Sequence, residues 1–105
     1  MSYRVVFTPQ AEGQLVELYR YLAISASPDI AARYTEAIVS HCESLRNFPH
    51  RGTRRDDVRP GLRIIHHRKR TVIAFDVDDE LVSIVGVFYG GRNYESILQD
   101  DSDDE

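Results

Sequence analysis

The apolar positions of the chain change period several times, and each change marks an element. Tyr3, Val5 and Phe7 alternate with Arg4 and Val6, a two-residue period that predicts a short first strand. Thr8-Pro9 then supplies a helix N-cap followed by proline at the first helical position, where its missing N–H costs nothing. Ala11, Leu15, Leu18, Tyr19 and Leu22 recur at helical spacing, with Glu12, Gln14, Glu17 and Arg20 between them. This stripe predicts a helix over roughly 9–23. Ser27-Pro28-Asp29 repeats the start signal, with an acid in the first turn where the helix dipole favours it. Ala31, Tyr34, Ile38, Cys42 and Leu45 form a second stripe, predicting a helix over roughly 28–46 that ends before Phe48-Pro49. The short link Ile24-Ser25-Ala26 makes the pair an antiparallel hairpin.

Residues 49–61 carry Pro49, Gly52, Pro60 and Gly61 among charges and read as a loop. Three strand patterns follow, at 62–66, 72–77 and 81–88, joined by short polar connections that predict an antiparallel meander. The last of them, Leu-Val-Ser-Ile-Val-Gly-Val-Phe, is almost continuously apolar, so it should be buried on both faces and lie inside the sheet. The order β-α-α-β-β-β gives an α+β fold: a helical hairpin packed on a small, four-stranded, mostly antiparallel sheet. The acidic block 100–105 has nothing to bury. The expected organisation is one domain over 1–98 and a disordered acidic tail over 99–105.

Composition narrows the class. A chain of 105 residues with 42% hydrophobic and 29% charged side chains suits one folded domain. No apolar run approaches the roughly 20 residues of a membrane helix. The opening residues lack a secretory pattern, and a lone cysteine excludes an internal disulfide framework; both point to the cytoplasm. The net charge of −4 argues at first against a polyanionic partner. Its distribution argues otherwise. Residues 46–70 hold nine basic side chains against Asp56 and Asp57, a net of +7. Arginine outnumbers lysine twelve to one, and arginine is the side chain suited to bidentate phosphate or carboxylate binding. The basic stretch is thus a candidate binding surface, against its plainer reading as a solvated loop.

Other chemistry is sparse. The chain has no phosphate-binding glycine loop, paired cysteines or zinc-type histidine spacing. His66 and His67, adjacent on a strand, point to opposite faces and cannot chelate one ion. No metal and no cofactor is expected. Cys42 falls on an apolar helix face and reads as a small buried hydrophobe. Tyr89-Gly90-Gly91-Arg92-Asn93-Tyr94 turns sharply off the last strand, either presenting a cation and two rings or closing the edge of the core.

Five segments in order resemble the ParE branch of the ParE/RelE toxin superfamily over roughly residues 3–98. They are Tyr3–Glu12, Tyr21-Leu22 with Ser27–Ala31, Leu45–Gly52, Pro60–Arg63 and Phe88–Tyr94. The resemblance implies a growth-arresting toxin of a type II toxin–antitoxin system, of the kind that stabilises plasmids. A ParD-like antitoxin would hold it inactive, and the complex would bind its operator DNA through that antitoxin. It also implies that ParE-like members inhibit DNA gyrase, whereas RelE-like members cleave mRNA on the ribosome. Arg92 matches an arginine of the RelE-like nucleases, but Leu98 stands where RelE has a tyrosine and Val72 near an arginine of its middle meander strand. Gyrase inhibition without enzymatic activity is therefore the expectation. A ribosome-dependent nuclease using Arg63, His66 and Arg92 is the alternative, and a decayed antitoxin-binding module is a third. The expected target surface is Arg63, Tyr89, Arg92 and Tyr94. The expected antitoxin contacts are Leu18, Tyr21, Leu22, Tyr34, Arg51, Arg54 and Arg55, with core packing the competing role for Leu18 and Leu22.

Overall fold

The helical hairpin starts where the two Ser/Thr-Pro signals stand. In the computed structural model, which describes residues 3–90 and 93–103, α1 spans Pro9–Ser25 and α2 spans Pro28–Glu43. Thr8 Oγ1 accepts from the Ala11 amide at 3.2 Å, and Ser27 Oγ accepts from the Ile30 amide at 3.1 Å. Each bond satisfies an N–H that the first helical turn leaves without a partner. After Glu43 the chain tightens into a 3-10 turn over Ser44–Arg46, so the α-helix ends earlier than its apolar stripe.

The sheet has five strands: β1 (Arg4–Phe7), β2 (Thr53–Arg54), β3 (Leu62–His67), β4 (Thr71–Asp78) and β5 (Leu81–Tyr89). Their order is β1-β5-β4-β3-β2. β3, β4 and β5 form the expected antiparallel meander, and β1 joins it parallel to β5 with Val5 opposite Val82. The fifth strand is the departure from the expected four. It is the two-residue β2, lodged in the charged loop and paired with Ile64 and Arg63 of β3. A segment so short and exposed carries no apolar alternation to read. Its approach depends on Gly52, whose φ of +81° is a glycine conformation and where a side chain would collide with the Ile64 carbonyl.

β5 lies between β1 and β4, and both its faces are covered. Between Ala74↔Gly86 and Phe75↔Ile84 the register skips Val85, a bulge that reverses the side-chain phase. Val82, Ile84 and Val87 pack under the helices with Leu18, Ile38, Cys42, Leu45, Ile73 and Phe75. Val85 and Phe88 join a second cluster on the opposite face with Val58, Leu62, Ile64, Val72, Ala74 and Leu98. The Val87 amide is hydrogen-bonded instead to Gln14 Oε1 of α1 at 2.7 Å.

The second cluster is closed by a helix that the strand and hairpin patterns did not foretell, α3 over Tyr94–Asp103. Its backbone is helical to Asp103, inside the segment expected to be disordered from residue 99. Tyr94, Ile97 and Leu98 fall at i, i+3 and i+4, so one turn of apolar side chains lands on the sheet and seeds the helix.

Candidate functional site

The basic stretch is distributed over the loop after α2, the β2–β3 connection and the β3–β4 turn, and much of it is engaged within the molecule. The Arg55 guanidinium bonds Asp57 at 2.9 and 3.0 Å and Glu95 of α3 at 2.7 Å. It also donates to the Tyr94 hydroxyl and lies 5.7 Å from the centre of that ring. This bidentate bonding holds Asp57 below the usual carboxylate range. Tyr94 is pushed up by burial, with Arg55 opposing the shift. Arg59 donates to the Leu98 carbonyl at 3.1 Å. Arg54 pairs with Asp56 at 3.0 Å. Arg51 donates to Ser44 Oγ at 3.2 Å and lies over the exposed Phe48 ring.

Arg63 donates to the backbone carbonyls of His50 and Arg51 at 2.9 and 3.2 Å, tying β3 to the loop after α2. It therefore acts as an internal tie. Arg68, Lys69 and Arg70 of the β3–β4 turn are all exposed, and Arg68 lies 5.9 Å from the centre of the Tyr34 ring. Arg68 and Lys69 hold φ of +53° and +61°, which keeps that turn tight.

The structure disperses the expected target surface. Arg63 is level with Phe75 and Ile84 in the sheet, whereas Tyr89 is level with Thr71 and His67 at the other end. Tyr89 packs on the helical face and Tyr94 on the opposite one, against Phe88. Arg92 lies outside the described residues. The alternative nuclease set is divided as well. Strand alternation puts Arg63 with Ile65 and His67 on the helical side, while His66 is exposed on the other.

Among the expected antitoxin contacts, Leu18 and Leu22 are core residues beneath the hairpin. Tyr21 is 58% exposed, and Tyr34 is half-buried at the α2–sheet junction. The two helices also leave between them, on the side away from the sheet, an apolar groove of about 470 Å³ lined by Leu15, Val16, Tyr19, Thr35, Val39 and Ser40, with Glu36 at its edge. The signal for it was present in the sequence: Val16 and Val39 lie outside the buried stripes.

A group of rings at the α2–β3 junction was not read from the sequence. Tyr34 bonds Thr71 through their hydroxyls at 2.8 Å and meets His67 and Tyr89 edge-on. His67 Nδ1 lies 3.0 Å from His41 Nδ1. Cys42 is fully buried, and desolvation pushes its thiol up to about 12, so it is inert as a nucleophile. Among the described residues no three or more His, Cys, Asp or Glu side chains gather as a metal site would need. Among them, too, no helix is long and apolar enough to cross a membrane.

A capped helical hairpin on a meander sheet, with an arginine-rich loop and an open interhelical groove, defines a small α+β protein. The family described as the ParE toxin of the type II toxin–antitoxin system parDE matches residues 5–94. The chain belongs to that family. Among solved structures it is similar to a chain of the chromosomal ParDE toxin–antitoxin system of P. aeruginosa. That match has a TM-score of 0.74 and 20% identity over 84% of this chain and 96% of the other. A chain of the RelBE2 toxin–antitoxin complex of Mycobacterium tuberculosis is similar at a TM-score of 0.59 and 23% identity, over 85% and 99% of the two chains. At these identities the structures speak for the fold, which is the ParE/RelE toxin fold. No protein of curated function matches the chain in sequence.

Proposed function

We propose that this ParE-family toxin arrests growth in the cytoplasm by inhibiting DNA gyrase through binding, without cleaving RNA, and that a ParD-like antitoxin neutralises it. One observation carries the choice between target classes. RelE has a tyrosine where this chain has Leu98 and an arginine near Val72, and here both residues belong to one buried apolar cluster. Cleavage through a 2′-hydroxyl needs a base, an acid and charge stabilisation in one exposed place. Apolar packing at these positions supplies none of them.

For the antitoxin, the α1–α2 groove offers the apolar floor that an amphipathic helix requires. A segment that folds on binding would lay that helix in the groove and pass acidic residues over Arg51 and Arg54. The complex would then reach operator DNA through the antitoxin.

Purified protein added in parallel to a gyrase supercoiling reaction and to a translating extract tests the target. Supercoiling should fall, or cleaved DNA accumulate, while mRNA stays intact. Cut mRNA with unaffected gyrase would overturn the reading in favour of the nuclease. Normal growth on expression without antitoxin would overturn it in favour of a decayed binding module.

A further inference from the structure

The contact between His41 on α2 and His67 on β3 joins the hairpin to the sheet, and its hydrogen count is constrained. Two Nδ1 atoms at 3.0 Å form a hydrogen bond only if one carries a proton and the other does not. His67 is 6% exposed, and its Nε2 is buried without a hydrogen-bond partner. A bare ring nitrogen left there costs less than a buried N–H with no acceptor. His67 is therefore the Nδ1–H donor with Nε2 bare, and the half-buried His41 accepts at Nδ1 and carries its own proton on Nε2.

A further proton has two places to go. On His67 Nε2 it creates a buried, unpaired N–H on a charged ring. On His41 Nδ1 it sets N–H against N–H and breaks the bond. The groups around the pair give a cation no help. Arg51 from the loop faces His41, and Arg68 from the β3–β4 turn faces His67. The other neighbours are neutral: Tyr34 of α2 edge-on to His67, Tyr34's partner Thr71 of β4, and Tyr89 of β5 beyond the Tyr34 ring.

We propose that His41 and His67 form an acid-released latch, which fastens α2 to β3 while both rings are neutral and lets go when they are protonated. Burial, reinforced by Arg51 at His41 and by His41 and Arg68 at His67, holds both histidines below their ordinary value. The sign follows. Above the unfolded-chain value of about 6.5, both states are neutral and the latch contributes fully. As pH falls below that value, the unfolded chain takes up protons that the folded pair refuses, and stability is lost until the folded pair itself titrates. Each histidine can raise the unfolding equilibrium constant by up to about tenfold per pH unit in that window.

The test is a histidine titration by NMR on the full chain, combined with urea unfolding between pH 5 and 8. His41 and His67 should titrate below the unfolded-chain value, with the His67 proton on Nδ1 at neutral pH. Unfolding should grow steeper with acid in the wild type than in His41→Gln, whose amide does not titrate. Titration of His41 and His67 at or above the unfolded-chain value would overturn the proposal, and so would an unchanged pH slope in His41→Gln. Should that variant fail to fold, the wild-type titration and the His67 tautomer decide alone.

Discussion

The two faces of the sheet are closed by different means. On one, α1 and α2 lay two long apolar stripes over Ile73, Phe75, Val82 and Ile84, and Ile38 and Leu45 between them are fully buried. Side-chain caps start both helices, and Gln14 fastens α1 to β5. On the other, one short helix and the 55–60 connection cover a smaller cluster, and arginines make up for its size. Arg55 reaches Tyr94 and Glu95, and Arg59 reaches Leu98. A hairpin with enough apolar area holds itself down by packing. A ten-residue helix with three apolar contacts needs directional bonds to stay in place. Two arginines of the basic run that reads as a binding surface, Arg55 and Arg59, are thus fastenings of the second face.

Truncation of the core should show the contrast most strongly. Phe75→Ala empties the centre of the hairpin face, where neighbours from α2, β4 and β5 are fixed by their own elements and cannot collapse inward. A loss of about 3–5 kcal/mol in urea unfolding is expected, close to the whole stability of a small domain. Leu98→Ala should cost less, about 2–3 kcal/mol, because α3 is anchored at one end of the cluster and can settle into the space. If both variants lose the same amount with the same denaturant slope, the faces are equally rigid and the comparison fails.

The sequence carried the hairpin face almost completely, because both of its signals are local. Thr8-Pro9 and Ser27-Pro28 fix the helix starts, and the stripes fix the buried sides. The continuous run in β5 likewise announced a strand covered on both faces. The second face was hidden for the opposite reason. Residues 94–98 hold a single turn of apolar residues beside a like-charge block, too little periodicity to show before the sheet beneath is known. Strand β2 depends on Gly52 and on β3 partners, Ile64 and Arg63, that lie beyond the loop. The site was legible only as a list of residue types. Alternation could divide Arg63 from His66, but that Arg63 spends its guanidinium on two loop carbonyls is tertiary. So is the meeting of His41 with His67, 26 residues apart.

Arg55→Ala should have the smallest effect, and it separates the faces most cleanly. Asp57 and Glu95, its carboxylate partners, are 68% and 49% exposed, so screening limits what the pairs contribute to global stability. Local opening of α3 is a different quantity, since it requires breaking only these bonds and lifting Tyr94, Ile97 and Leu98. In the variant, amide hydrogen exchange should quicken severalfold at most over 94–99 and stay unchanged in α1, α2 and β4. Added salt should quicken the same amides in the wild type and have little further effect in the variant, because the screened pairs are already gone. Lowering the pH should loosen the loop's own pair of Arg55 with Asp57, but only once Asp57 begins to protonate. Its partner holds Asp57 below the usual carboxylate range, so that pair is intact above the ordinary aspartate value and is lost as pH falls through the depressed one. If exchange in α3 ignores salt, Leu98 alone holds the helix and Arg55 is a surface charge.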